Sequence, residues 1–116
     1  MRNNVELMDL FKHIKEEYPQ YQSILQNDKE MEIVLNEDLH MKVKFYNFFN
    51  IYFNDFFYYD IDPQDVIDFV DDLFSNNNII CVTKKWNKYR VDIVPSKDYI
   101  RTKNVIDAWT LDYRMK

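Results

Sequence analysis

The stretch that decides the fold is FYNFFNIYFNDFFYYDIDPQDVIDFVDD, which covers residues 45–72. Its first fifteen residues hold ten of the chain's twenty aromatic side chains, and the rest has the apolar and acidic pattern of an amphipathic helix. The chain has 116 residues, of which 47% are hydrophobic, so it is long enough to bury a core. We therefore expect one domain over residues 1–116.

Alternation of apolar and polar side chains predicts strands around this stretch. Two segments that flank a short polar turn have apolar residues at every second position, which predicts a hairpin over residues 31–35 and 39–45. The alternation continues into a third strand over residues 48–53, with a bend at Asn47 or Asn50. Phe48 and Tyr52 make the even-numbered face of this strand apolar as well, so we expect it to be covered on both faces or to lie at an interface. A second hairpin is predicted over residues 79–85 and 89–94.

Three helices are predicted from apolar residues at spacings of three and four. The first covers residues 4–18, with Asn3 or Asn4 as its cap and one further turn over residues 21–25 after Pro19. The second covers residues 61–75, since Asp62 is a favourable N-cap and Pro63 suits the first helical position. Asn76-Asn77-Asn78 ends it, because asparagine tolerates a left-handed end. The third covers residues 97–113, because a strand there would leave Asp107 on an apolar face.

The predicted order of elements is αβββαββ(α), with the last helix in brackets. Hairpin-connected strands with separated helices indicate an α+β fold, with a mainly antiparallel sheet and helices packed on one face. This order resembles that of the small acidic chaperones of type III secretion, in topology alone and without a specific motif. The resemblance implies a dimer that binds an extended polypeptide.

The sequence lacks the residues that several classes of function require. The chain has no glycine, which excludes glycine-rich phosphate loops. Neither His13 nor His40 has a second His or Cys at ligand spacing, and no catalytic triad can be assigned, so we expect no metal, no cofactor and no enzymatic activity. The single cysteine, Cys81, cannot form an internal disulfide. We expect a cytoplasmic protein without a secretory signal or a membrane segment.

The charges of the chain are distributed unevenly. The formal net charge is −5, yet residues 45–83 contain seven aspartates and no basic residue, whereas residues 84–116 contain nine basic and four acidic residues. Such a distribution bears on partners more than on the fold. It favours a protein partner with a basic surface for the middle of the chain.

The candidate binding residues lie on the predicted second helix and just before it. Asp65, Asp68 and Asp72 share one helical face, and the helix dipole gives no reason for carboxylates as late as Asp71 and Asp72. Tyrosines are enriched at the hot spots of interfaces, and Tyr46, Tyr52, Tyr58 and Tyr59 precede the helix. The full set of candidate partner-binding residues is Tyr52, Tyr58, Tyr59, Asp65, Asp68, Asp71 and Asp72. A solvated helix face and an ordinary core are the alternatives for these residues.

We expect a small acidic inhibitor, of the immunity type or of phage origin, that blocks a basic nucleic-acid-binding protein or nuclease. The first alternative is the chaperone-like dimer. A weaker alternative is a nucleic-acid or ligand-binding module that uses the basic hairpin over residues 84–90, with Arg101 and Lys103 nearby in sequence. The aromatic stretch has only carboxylates as charged neighbours and therefore does not suit base stacking, so we expect a protein partner, or a homodimer, in preference to nucleic acid.

Overall fold

The computed structural model describes residues 5–115, which form two helices, eight strands and one 3-10 helix. Helix α1 is Leu7–Glu17, and helix α2 is Val66–Ser75. Five strands lie between the helices: β1 (Gln22–Leu25), β2 (Glu30–Asn36), β3 (Leu39–Tyr46), β4 (Phe48–Phe53) and β5 (Phe56–Ile61). The remaining elements follow α2: β6 (Asn78–Lys85), β7 (Lys88–Pro95), the 3-10 helix (Ser96–Asp98) and β8 (Val105–Trp109).

The strands form two antiparallel sheets. The large sheet has the order β1-β2-β3-β4-β5, and the small sheet has the order β7-β6-β8. The predicted α+β class is therefore confirmed, as are the hairpin of β2 and β3, the third strand β4 and the hairpin of β6 and β7.

The main core lies between the large sheet, the two helices and the small sheet. Met31, Val43 and Ile51 stand side by side across β2, β3 and β4, and each is at most 1% exposed. The helices contribute buried residues to the same cluster, and so does the small sheet. These residues are Leu7, Leu10 and Ile14 of α1, Val66, Val70 and Leu73 of α2, and Ile80, Val82, Val91 and Trp109. The helices therefore cover one face of the large sheet, which we call the inner face.

In the absence of glycine, asparagine occupies most of the turn positions that have a positive φ. Asn47, Asn54 and Asn87 have φ values of 70°, 54° and 63°, in the left-handed region that asparagine tolerates better than most residues. The predicted bend at Asn47 is confirmed, whereas Asn50 lies within β4. Trp86 also has a positive φ, of 55°, and a bulky side chain is rarely found there.

The predicted start of the second helix was wrong, because a strand precedes it. Residues 56–61 form β5, which pairs with β4, and α2 begins at Val66 with Asp65 as its N-cap. Asp62 instead shapes the turn, since its Oδ1 accepts a hydrogen bond from the Gln64 backbone N–H at 2.9 Å. A register shift opposite Ile51 and Tyr52 places an extra residue in β5 and breaks the period of two. That interruption conceals the strand in the sequence.

The remaining differences concern the two ends of the chain and the end of α2. The extra turn predicted for residues 21–25 is strand β1, paired with β2. Helix α1 begins after Glu6, whose backbone N–H donates to Asp9 Oδ2 at 2.9 Å, and the predicted caps Asn3 and Asn4 lie outside the described residues. Asn76 ends α2 in an extended conformation, so the left-handed end predicted there was wrong.

The helix predicted over residues 97–113 was also wrong. Val105, Ile106 and Trp109 of the predicted helix belong to β8, where Trp109 pairs with Ile80 and Ala108 pairs with Cys81. The carboxylate of Asp107 is tolerated in this strand because Arg114 donates two hydrogen bonds to it, at 2.9 and 3.1 Å. A charge that looks misplaced in the sequence is therefore paired in the structure.

Two asparagines at positive φ allow a matched test of the turns. The Asn54 side chain accepts a hydrogen bond from the His40 backbone N–H at 2.9 Å and donates one to the Asp38 carbonyl at 3.1 Å, whereas the Asn47 side chain forms none within residues 5–115. We predict that Asn54→Gly lowers the free energy of unfolding by about 1–2 kcal/mol, and that Asn47→Gly changes it by less than about 0.5 kcal/mol. Urea denaturation measures both, and equal losses would contradict this account of the turns.

Candidate functional site

The outer face of α2 and the turn before it present a row of carboxylates. Val66, Val70 and Leu73 are buried in the core, whereas Asp68 and Asp72 of the same helix are exposed. We call Asp62, Asp65, Asp68 and Asp72 the acidic surface, and all four are exposed. None of them takes part in a salt bridge within residues 5–115, whereas Asp55, Asp92 and Asp107 each pair with a cation.

The contacts of the acidic surface are with neutral groups of the same part of the chain. Asp62 accepts from the Gln64 backbone, and the Asp72 carboxylate accepts a hydrogen bond from the Asn76 side chain at 2.6 Å. The last turn of α2 contains no basic residue. The negative charge of this face is therefore not balanced locally.

Asp71 was predicted to bind a partner together with Asp72, but its side chain is directed at α1. Its Oδ1 lies 2.7 Å from His13 Nε2 and accepts a hydrogen bond from the Tyr18 hydroxyl, also at 2.7 Å. Burial, and then this hydrogen bond, raise the pKa of the Tyr18 phenol above its ordinary value. Asp71 thus joins α1 to α2.

The three predicted tyrosines occupy three different environments. Tyr58 faces the core, where its ring centroid lies 5.8 Å from those of Phe53 and Phe69, and burial raises the pKa of its phenol. Tyr59 is the cross-strand partner of the inward-facing Ile51, yet it is 61% exposed because β5 is the edge strand of the large sheet. Tyr59 therefore lies on the helix side of the sheet, the side that also carries the acidic surface.

Tyr52 belongs to the opposite side of the large sheet. Its ring centroid lies 5.3 Å from that of Phe57, and Lys44 Nζ lies 5.2 Å from it. Tyr46 and Phe48, which are paired across β3 and β4, are exposed on the same outer face. We call Tyr46, Phe48, Tyr52 and Phe57 the aromatic face. The even-numbered pattern of β4 signals Phe48 and Tyr52, but Phe57 can be recognised only once β5 is known.

The structure therefore divides the predicted binding set. It brings Asp65, Asp68 and Asp72 together on one exposed face, with Tyr59 on the same side of the large sheet. It places Tyr52 on the other side of the sheet, packs Tyr58 inward and links Asp71 to α1. A single flat partner could not contact Tyr52 and Asp68 at once, because the core lies between them.

Residues 5–115 give little basis for a metal site or a nucleophilic cysteine. Within residues 5–115, no group of three or more His, Cys, Asp or Glu side chains is arranged to hold a metal ion. Cys81 is buried, and burial raises the pKa of its thiol, which disfavours the nucleophilic thiolate. Neither α1 nor α2 is long and apolar enough to cross a membrane.

Comparisons with known proteins leave the function to be argued from the site. No protein-family model matches the chain, and the searches of curated proteins and of solved structures found no match.

The different environments of Asp71 and Asp68 lead to a testable difference in stability. We predict that Asp71→Ala lowers the free energy of unfolding by about 1 kcal/mol or more, because Tyr18 and His13 lose a charged acceptor. Asp68→Ala should stay within about 0.5 kcal/mol of the wild type, since its carboxylate is exposed. Chemical denaturation of the two variants checks this, and a larger loss for Asp68→Ala would show that the two roles are reversed.

The inward position of Tyr58 predicts a pH dependence at the alkaline end. A phenol whose pKa is raised in the folded state stabilises the fold below its unfolded pKa of about 10 and loses this contribution as the pH rises through the folded pKa. The free energy of unfolding should therefore fall above about pH 10, and it should fall less steeply in Tyr58→Phe.

The exposed substitution Tyr46→Phe is the matched control and should follow the wild type. Urea denaturation at about pH 9 and at about pH 11 measures the three slopes. Identical slopes for wild type and Tyr58→Phe would be evidence against the inward position of Tyr58.

Proposed function

We propose that the protein binds a partner protein with a basic surface, and that it acts as an inhibitor of the immunity type or of phage origin. The observation that supports this proposal is the acidic surface, whose four carboxylates are exposed and have no ion-pair partner within residues 5–115. A cationic partner would supply the missing countercharge.

The energetics of α2 favour a binding role for these carboxylates. Asp65, Asp68 and Asp72 stand at spacings of three and four, where like charges destabilise a helix by about 0.2–0.5 kcal/mol per pair. Asp72 also lies near the negative end of the helix dipole, where a carboxylate is unfavourable by about 0.3–1 kcal/mol. Asp65, the N-cap, and Asp68, in the first turn, lie at the favourable end of the same dipole, so Asp72 is the carboxylate that the isolated helix disfavours. A basic partner would offset the repulsion among the three carboxylates by attraction to its own cations.

Tyr59 supplies the apolar contact that such a surface needs. Exposed charges increase the rate of association more than the affinity, whereas buried aromatic rings provide much of the binding energy at interfaces. Tyr59 is 61% exposed on the helix side of the large sheet. It lies three residues before Asp62, the first residue of the acidic surface. We therefore assign Tyr59 as the anchor and Asp62, Asp65, Asp68 and Asp72 as the charged contacts.

A row of carboxylates on a rigid helix can occupy a surface that normally binds phosphates. Nucleases and other nucleic-acid-binding proteins present clustered Lys and Arg side chains to the phosphate backbone. An inhibitor with carboxylates at those positions excludes the nucleic acid by competition. This mechanism needs no catalytic residue and no cofactor in the inhibitor, and it makes binding strongly dependent on salt.

Charge reversal on the acidic surface tests the proposal. The protein, immobilised at low salt, is expected to capture a basic protein from a lysate of its natural source, and the purified protein should inhibit that protein's nucleic-acid binding or cleavage. The double variant Asp68→Lys with Asp72→Lys should lose about 100-fold or more in affinity, because two attractive contacts become repulsive.

The matched control is Glu16→Lys with Glu17→Lys, which makes the same charge change at exposed residues of α1. This control should bind as the wild type does. The proposal fails if no basic protein is captured, or if both double variants lose the same affinity.

A second candidate function rests on the aromatic face. Tyr46, Phe48 and Phe57 are 55%, 47% and 47% exposed, and clustered exposed rings often mark a surface that binds another chain. The chaperone-like alternative places a dimer or an extended polypeptide there. The observed order of elements, with five strands before α2 and a strand at the end, departs from the order on which that resemblance was based.

Sedimentation equilibrium separates the two candidates. A chain of 14.4 kDa that dimerises through the aromatic face would sediment at twice that mass, and Phe48→Ser with Phe57→Ser would return it to the monomer. The inhibitor candidate predicts that this double variant keeps its affinity for the basic partner. A monomer at all concentrations would contradict the dimer.

A further inference from the structure

The end of the β6–β7 hairpin is the most basic exposed part of the described chain. Lys85 pairs with Lys88, and Thr83 pairs with Arg90, so Lys85, Lys88 and Arg90 lie on one face of the hairpin. All three cations are exposed. Arg90 Nε is 3.0 Å from Asp92 Oδ1, which leaves the two lysines as the unpaired cations of this face.

The fold brings a further cation to the same place. The Lys84 backbone N–H donates to the Asn104 carbonyl at 2.9 Å, and Thr83 pairs with Val105 of β8. The pairing of β6 with β8 therefore places the exposed Lys103 beside the end of β6. We call Lys84, Lys85, Lys88, Arg90 and Lys103, together with Trp86, the basic tip.

Trp86 stands at the end of this hairpin with its indole in solvent. It is 85% exposed, and with Asn87 it forms a two-residue turn in which both residues have positive φ, of 55° and 63°. Asparagine or glycine is the usual choice at such positions, and a bulky side chain there is strained. Neither turn geometry nor core packing accounts for an indole at this position.

The basic tip is well separated from Asp72 of the acidic surface. The Asn78 side chain reaches the Asp72 carbonyl at 3.4 Å, at the start of β6, and Lys85 is the last residue of that strand. Seven residues of strand span about 23 Å. That separation is more than twice the Debye length of about 8 Å at physiological salt. The carboxylate of Asp72 therefore does little to screen the tip from an anion.

We propose that the basic tip binds single-stranded nucleic acid, with a base stacked on Trp86 and phosphates bound by Lys85, Lys88 and Lys103. A flat exposed ring flanked by flexible cations matches the alternation of base and phosphate along a single strand. An acidic polypeptide would use the cations but would leave the indole without a flat partner. This proposal concerns a different surface from the inhibitor function and does not depend on it.

The two tryptophans of the chain make the test direct. Trp109 is 2% exposed, so an added ligand can reach the ring of Trp86 alone. Titration with oligothymidylate of about 15 nucleotides, long enough to cover one module, should quench the fluorescence of Trp86. Trp86→Ala should weaken binding of a labelled oligonucleotide about tenfold, as measured by anisotropy.

The salt dependence tests the phosphate contacts independently of Trp86. The logarithm of the affinity for single strands falls with the logarithm of salt concentration by about 0.7 per phosphate contact. The double variant Lys85→Gln with Lys88→Gln should therefore bind more weakly, with a slope that is shallower by about 1.4. Lys12→Gln with Lys97→Gln removes the same charge from exposed sites on α1 and beyond the far end of β7, and it should keep the wild-type slope.

The proposal is overturned if oligothymidylate neither quenches Trp86 nor binds at low salt. It is also overturned if the Lys12 and Lys97 control loses as much affinity as the tip variant, since binding would then follow net charge alone. Quenching by polyglutamate and not by oligothymidylate would assign the tip to an acidic protein instead.

Discussion

The row of Met31, Val43 and Ile51 across three strands of the large sheet is the packing on which the rest of the structure depends. Because side chains alternate along a strand, burying this row against the helices places the even-numbered residues of the same strands on the other side. Tyr52 lies on that side for this reason. The same packing buries Val70 of α2, which directs Asp68 to solvent. The aromatic face and the acidic surface are thus consequences of one buried row.

Much of this arrangement could be predicted from the sequence, because the period of the apolar residues is undisturbed. The strands β2, β3 and β4, the body of α2 and the hairpin of β6 and β7 each have a clear pattern. Strand β5 could not be predicted, since its bulge breaks the period at Tyr58. Strand β8 was missed because Asp107 appears incompatible with a buried strand until its pairing with Arg114 is known.

The candidate site was predictable to the extent that it depends on local geometry. The spacing of Asp65, Asp68 and Asp72 fixes a common helical face whatever surrounds the helix. The role of Asp71 depends on the position of α1, which no local pattern contains, so its contacts with His13 and Tyr18 were not foreseen. Lys103 was grouped with the basic hairpin because it is near in sequence, and the pairing of β6 and β8 places it beside the end of β6. Contacts between elements distant in sequence therefore account for most of what the sequence analysis missed.

Chemical labelling of carboxylates in the complex with the captured basic partner tests the central claim most directly. Carbodiimide modification, followed residue by residue by mass spectrometry, reports which exposed carboxylates the partner covers. We predict that the labelling rates of Asp65, Asp68 and Asp72 fall on binding, while those of Glu16 and Glu17 on α1 stay unchanged. Unchanged labelling of Asp65, Asp68 and Asp72 in the saturated complex would contradict the assignment of the acidic surface as the binding site.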